Sequence, residues 1–316
     1  MTGPIRAPAA SGESAGAPPS TFACLWCGRS WTTRSPDDLE GYAQLCPDCL
    51  GKAGDNAFLR YRLKAALEAR AGRAAPAAAP SAPSPTEADP IEREMVAYYE
   101  ARAPEYDDWY LRRGRYSHGP IHDTAWNAEL DAAGRWLDDL PIHGRIVELA
   151  AGTGWWSPLL AQKGELWLFD AAEAPLARAR DRLLAHGLRA HLHVRDAWAA
   201  PEGDPAGALF AGFWLSHVER ERTGAFLELA ASWLALGGRV AFIDSLPDPQ
   251  SGAADHDPVA ADGRSVRRLA DGREFTVIKV YRSPEETAAA LRDAGFVDVA
   301  VTTTGRFFVL ATGRKP

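Results

Sequence analysis

Two groups of residues in this sequence have types and spacings that can do chemistry. The first is the whole cysteine content, four residues, set out as Cys24-x-x-Cys27 and Cys46-x-x-Cys49. Each C-x-x-C turn aims two thiolates at one tetrahedral ion, and two such turns complete four-coordination. Four thiolates leave no position open for substrate, so the expected ion is a structural Zn2+; iron or a redox dithiol is the alternative. The second group sets acids beside glycines: Glu148-Leu-Ala-Ala-Gly152-Thr-Gly154, then Asp170, 22 positions after Glu148. Bare glycine backbone lets a ligand come close. A carboxylate ending the next strand accepts both hydroxyls of an unphosphorylated ribose, through charge-assisted bonds of roughly 1.5–3 kcal/mol each. The ligand so described is nucleoside-like. No lysine follows the glycines, as a phosphate-cradling loop requires, and the third glycine of the dinucleotide fingerprint is replaced by Ser157.

The elements that must position these groups follow from apolar periodicity. Arg145 to Ala150 reads as a strand, Trp155 to Gln162 as a helix, and Glu165 to Phe169 as a second strand ending at Asp170. A strand, a glycine turn and a helix in that order put free N–H groups at the C-terminal edge of a sheet, where open α/β folds bind such ligands. Helices are expected over 121–137, 174–186 and 222–236, the last stopped by Gly237-Gly238. Further strands are expected at 191–194, leading to Asp196, at 209–215, running into Ser216-His217, and at 239–243, ending in Asp244. After a loop-rich stretch, 248–272, come a strand over 274–281, a helix opened by Ser283-Pro-Glu-Glu, and two closing strands at 296–302 and 306–312. His217 falls where a reaction partner of the nucleoside ligand would sit. With an ordinary pKa it could take a proton from a hydroxyl; the other reading is a histidine that only shapes the pocket.

From Glu148 onward the chain resembles the class I S-adenosylmethionine (SAM)-dependent methyltransferases, whose first motif reads E/D-x-G-x-G-x-G. Glu148 to Gly154 matches it except that Ala150 holds the first glycine position. The resemblance extends through Asp170, Val194-Arg-Asp-Ala-Trp198 and Leu236-Gly-Gly-Arg-Val240. It implies a Rossmann-like α/β fold: a seven-stranded, mostly parallel sheet closed by an antiparallel C-terminal hairpin. It also implies that Asp196 accepts the adenine amino group, with Ala197 and Trp198 flanking the ring. Upstream, Tyr98-Tyr99-Glu-Ala-Arg102-Ala-Pro-Glu-Tyr106-Asp107 is similar to the N-terminal helix and loop of ubiquinone/menaquinone-type, small-molecule methyltransferases. By that similarity Tyr99, Arg102 and Tyr106 contact the cofactor or form a lid over it, and a guanidinium suits the SAM carboxylate. Two features depart from family patterns. Gly207 stands where an acid usually opens the fourth strand, and the Asn/Asp-Pro-Pro-aromatic signature of base and amide methylation is absent.

Composition bounds the rest. With 316 residues, 46% hydrophobic and 24% charged, there is room for one large core and a small extra module. Residues 1–20 have the composition of a disordered tail. A zinc module with a helix is expected over 21–70, an Ala/Pro-rich linker over 71–90, and the methyltransferase domain over 91–316. A module of that size lacks a secure core and needs its metal. The net charge of −7 argues against a broad polyanion-binding surface, and no apolar run is long enough to span a membrane. The N-terminus lacks a secretory apolar block, so the expected location is cytoplasmic. The expected partner is a small-molecule methyl acceptor. The alternatives are RNA guided in by the zinc module, and a non-catalytic SAM-binding protein whose module binds another protein.

Overall fold

The structure is a computed structural model that describes residues 21–23, 29–32 and 90–316. The chain divides into two compact units, Met1–Ser81 and Ala82–Pro316. In the first, β1 (Thr21–Ala23) runs antiparallel to β2 (Ser30–Thr32), with Phe22 opposite Trp31 in the register. Cys24 and Cys27 fall between those strands in sequence. They lie outside the described residues, as do Cys46, Cys49, the expected tail, the module's helix and most of the linker.

The second unit opens with three helices, α1 (Pro90–Arg102), α2 (Tyr106–Tyr110) and α3 (Pro120–Asp139). Then strands and helices alternate: β3 (Gly144–Leu149), α4 (Ser157–Ala161), β4 (Gly164–Asp170), α5 (Glu173–Ala185) and β5 (His191–Val194). β6 (Ala206–Gly212), α6 (Thr223–Trp233) and β7 (Leu234–Ser245) follow. A hairpin of β8 (Arg264–Arg268) and β9 (Glu274–Ile278), then α7 (Pro284–Asp293), β10 (Val297–Thr303) and β11 (Phe308–Arg314), complete the chain. One sheet takes the order β10-β11-β7-β6-β3-β4-β5. Its five strands from β7 to β5 are parallel, and β11 pairs antiparallel with both β7 and β10.

Alternate residues of the central strands serve two cores. Ile146, Leu168, Phe210 and Ile243 pack with Trp126, Leu137, Leu160 and Leu176 from α3, α4 and α5. Val147, Phe169, Leu209 and Phe242 pack with Leu227, Trp233 and Leu291 from α6 and α7. Cover on both faces is why these strands read as unbroken apolar runs. Each fully buried side chain of this size contributes roughly 1.5–3 kcal/mol. β3 feeds β4 and β5 on one side while β6 and β7 lie on the other, so a crevice opens at the C-terminal ends of β3 and β6.

Several boundaries differ from expectation for local reasons. The strand expected at 209–215 ends at Gly212, because Phe213 takes a positive φ of 59° and donates its N–H to Ile243 O at 2.7 Å. The chain then tightens into a 3-10 turn over Leu215–His217. Gly237-Gly238 does not end a helix: α6 stops at Trp233 and the pair lies inside β7, with Gly237 N–H donating to Lys315 O at 3.0 Å. The loop-rich stretch contains β8, whose partner is β9. That hairpin packs on α1 through Met95, Tyr98, Val277 and Ile278. The start of α7 is as read, a capping box between Ser283 and Glu286. Among the described residues no helix is long and apolar enough to cross a membrane.

Candidate functional site

The turn after β3 is built from left-handed residues. Ala150, Gly152 and Gly154 have φ of 50°, 55° and 69°, a region that suits glycine and strains a residue with a Cβ. Ala150 therefore keeps the loop shape that the first glycine of the motif would give, at a strain of roughly 1 kcal/mol. Gly152 is bare because a Cβ there would meet Tyr106 Oη at 2.9 Å. Gly154 is bare for another reason: a Cβ would lie 2.7 Å from Ala179 Cβ and 2.9 Å from its Cα. It lets the loop seat on α5 and does not line the crevice. Glu148 also faces inward. It is buried, accepts a hydrogen bond from Ser157 Oγ at 2.6 Å, and is pushed up to about 8 by that burial. It braces the loop from beneath and does not line the crevice.

The crevice encloses about 830 Å³. Ala150 and Gly152 form one wall with Asp170, and Asp196, Ala197 and Trp198 form another. Asp170 Oδ2 accepts the Gly152 N–H at 2.8 Å and Oδ1 accepts the Ala172 N–H at 2.8 Å. The remaining lone pair on each oxygen is available to hydroxyl donors. Burial pushes this carboxyl up to about 6, against the pull of those two N–H groups. Asp196 Oδ1 accepts the Trp198 N–H at 2.7 Å, and the Trp198 ring carries the Arg222 guanidinium at 4.2 Å. Sequence reasoning missed Met95, Val96, Trp214, Val218 and Ile278, which complete the walls. The apolar stripe of α1 was a usable signal for the first two.

The N-terminal segment lies over this loop. Asp107 accepts from Thr153 Oγ1 at 2.6 Å and pairs with Arg182 of α5. Glu100 accepts the Ala174 N–H at 2.9 Å, and Tyr110 stacks on Trp155 at 4.3 Å. Tyr99 and Tyr106 line the crevice, whereas Arg102 lies outside it in an adjoining cavity, its guanidinium 4.6 Å from the Tyr106 ring centroid. His217 lines both cavities with neither ring nitrogen free. Nδ1 faces the Ile278 carbonyl, which can only accept, so Nδ1 carries the proton and Nε2 accepts from Tyr99 O–H at 2.7 Å. Burial and the nearby Lys279 hold its pKa well below 6.5. The structure therefore offers no free basic nitrogen here, and His217 fixes the Tyr99 hydroxyl. Among the described residues no group of His, Cys, Asp or Glu is arranged to hold a metal ion.

The residues fit an adenosyl cofactor on observations of their own: a glycine cradle that a Cβ would fill, an acid 2.8 Å from that cradle, and a second acid lining the same crevice. With the strand order, they define a Rossmann-like methyltransferase domain of class I. The sequence profile of a family described as "Methyltransferase domain" matches residues 146–238. The solved structure of DhpI in complex with SAM and HEP is 30% identical, covering 72% of this chain and 99% of its own, with a TM-score of 0.56. DhpI with SAH is 29% identical, covering 71% and 97%, at 0.54. No curated protein sequence matches the chain. The chain belongs to the SAM-dependent methyltransferases.

Proposed function

We propose that this enzyme methylates an oxygen, nitrogen or carbon nucleophile of a small molecule. The observation that carries the reading is a pair of adjoining, partly open, aromatic-walled cavities sharing Tyr99, Tyr106, Phe213 and His217; pockets of this kind take small ligands. Bound SAM supplies a methyl group on a good leaving group, so holding the acceptor in line accounts for most of the rate. In this reading Asp170 holds the ribose hydroxyls, Asp196 with Ala197 and Trp198 holds adenine, and Ala150 and Gly152 form the loop backbone beneath. Arg102 and Tyr106 hold the methionine end. Tyr99, oriented by His217, presents its oxygen to the acceptor. The deciding experiment is a labelled-methyl transfer assay on small-metabolite extract and on RNA. Incorporation confined to small metabolites supports the reading, and incorporation confined to RNA overturns it.

We further propose that Cys24, Cys27, Cys46 and Cys49 hold one structural Zn2+, in a reducing compartment that keeps the thiolates free. Four thiolates match the ion's tetrahedral preference, and the first pair falls in sequence between two paired strands, β1 and β2. Metal analysis should return one zinc per chain, lost in Cys24→Ser. A chain that is metal-free when purified under reducing conditions argues for the dithiol instead.

A further inference from the structure

The second cavity encloses about 650 Å³ and its lining reverses the charge of the chain. The protein has 42 acidic against 35 basic residues, yet this cavity is lined by Arg102, Arg267 and Lys279 and by no aspartate or glutamate. Arg102 is 8% exposed, and its buried Nε has no hydrogen-bond partner. The buried Tyr116 hydroxyl beside it also lacks one. Lys279 is equally buried and donates to Ser216 Oγ at 2.7 Å. The carboxylate within reach of it, Asp244, stands 3.8 Å away and already accepts the N–H groups of Ser216 and Ser245 at 2.7 Å each. Arg267 is steered by uncharged partners. It donates to His256 Nδ1 at 3.3 Å and lies beside Tyr281. His256 is kept neutral, pulled down to about 3 by burial and by Arg267 itself.

Three cations facing one cavity that no carboxylate lines is an unfavourable arrangement unless a ligand supplies the counter-charge. The cofactor cannot do so. SAM brings one carboxylate but also an ammonium and a sulfonium, so its binding adds positive charge. We propose that this cavity holds an anionic group of the methyl acceptor, a carboxylate or phosphoryl oxyanion gripped by Arg267 and Lys279. Arg102 is left for the cofactor's carboxylate. The acceptor's nucleophile then meets the wall of Tyr99 and His217 that the two cavities share. This assignment rests on the reading of the first crevice as the cofactor site.

The test uses the full chain and separates the two readings. S-adenosylhomocysteine is titrated by calorimetry first. Inorganic phosphate, acetate and the neutral ethylene glycol are then titrated with and without it, with phosphorus NMR line broadening as a second measure for phosphate. The expected result is binding of phosphate or acetate but not of the glycol, and the better anion identifies the acceptor's group. Arg267→Gln should weaken the anion about ten-fold, the loss of one charge-assisted contact, and Arg267→Lys should restore part of it. Both variants should bind S-adenosylhomocysteine as the parent does, which also shows that they fold. Anions binding no better than the glycol, or equally well to Arg267→Gln, overturn the proposal. If S-adenosylhomocysteine fails to bind while the anions behave as expected, the cofactor reading alone falls.

Discussion

Lowering the pH from 7 to 5 should weaken the cofactor's grip on this enzyme about ten-fold, through Asp170. Burial raises that carboxyl from the ordinary 3.8 to about 6. Asp196 and Glu100 add to the rise, and the N–H groups of Ala172 and Gly152 offset part of it. Ribose hydroxyls donate best to the ionised form, so a proton on Asp170 competes with the ligand. With titration near 6, the ionised fraction falls from about nine-tenths at pH 7 to about one-tenth at pH 5, which is about 1.4 kcal/mol of binding. The ligand's own ammonium and carboxylate do not titrate between those limits. His217, already held well below 6.5, contributes little there. The assay is calorimetric titration of S-adenosylhomocysteine at intervals across this range, with far-UV circular dichroism to verify the fold. Asp170→Asn should bind about 10–150-fold more weakly at pH 7, the value of a charge-assisted bond, and should lose the slope. Affinity that changes less than about two-fold between the limits, or an Asn variant that keeps the parent's slope, refutes the assignment.

Other outcomes follow from the same geometry. Glu148, pushed up to about 8 from an ordinary 4.5, favours its protonated form when folded, so its contribution to stability falls as pH rises through that window, by on the order of 1 kcal/mol per unit. Glu148→Gln keeps an acceptor for Ser157; its Tm should exceed the parent's at pH 7.5 and the gap should close toward pH 5. Gly154→Ala forces a Cβ into Ala179 at a φ of 69°. It should lower Tm by on the order of 10 °C in calorimetry, whereas Ala150→Gly should raise it by a few degrees. Asp107→Asn removes the ion pair between the N-terminal segment and Arg182 while leaving an oxygen to accept from Thr153. It should raise the Kd for S-adenosylhomocysteine roughly three- to ten-fold with little change in Tm, the size expected for one charged hydrogen bond at a half-buried position.

The parts of the fold legible in the sequence were those in which one physical cause dominates. Strands covered on both faces need mainly apolar side chains, so β3 and β4 stood out to within a residue. The acid ending β4 could be placed beside the glycine turn because parallel pairing aligns strand ends, and Asp170 does meet Gly152 N–H at 2.8 Å. Other features depend on reversals of the backbone that composition does not encode. Nothing in Leu209 to Leu215 says that Phe213 turns left-handed and ends the strand three residues early. Gly152 and Gly154 look alike in sequence, yet one yields to Tyr106 and the other to a helix. The cationic cavity was not legible at all. Arg267 sits on a strand too charged to read as one, and Lys279 and Arg102 reach it from other elements.

The electrostatics of the shared wall give the lowered pKa of His217 a purpose. In the proposed reading a histidine held as imidazolium would place a positive charge beside the cofactor's sulfonium, and at an effective dielectric near 20 two such charges about 4 Å apart repel by about 4 kcal/mol. Burial prevents this, and the Ile278 carbonyl fixes the neutral tautomer by accepting from Nδ1. The remaining lone pair fixes Tyr99, whose oxygen is thereby left facing the cavities as an acceptor. Aromatic faces of Tyr99, Tyr106 and Phe213 around it attract a cation without neutralising it. Methyl transfer to an anionic nucleophile cancels the sulfonium charge, and transfer to a neutral one spreads it over both partners in the transition state; a wall that solvates ions poorly favours either change. The cations of the second cavity, Lys279 first and then Arg267, reach this wall electrostatically and help hold His217 neutral. An imidazolium at 217 would add one more charge to that wall, and in the proposed reading the neutral Tyr99–His217 pair therefore suits methyl transfer better than a general base would.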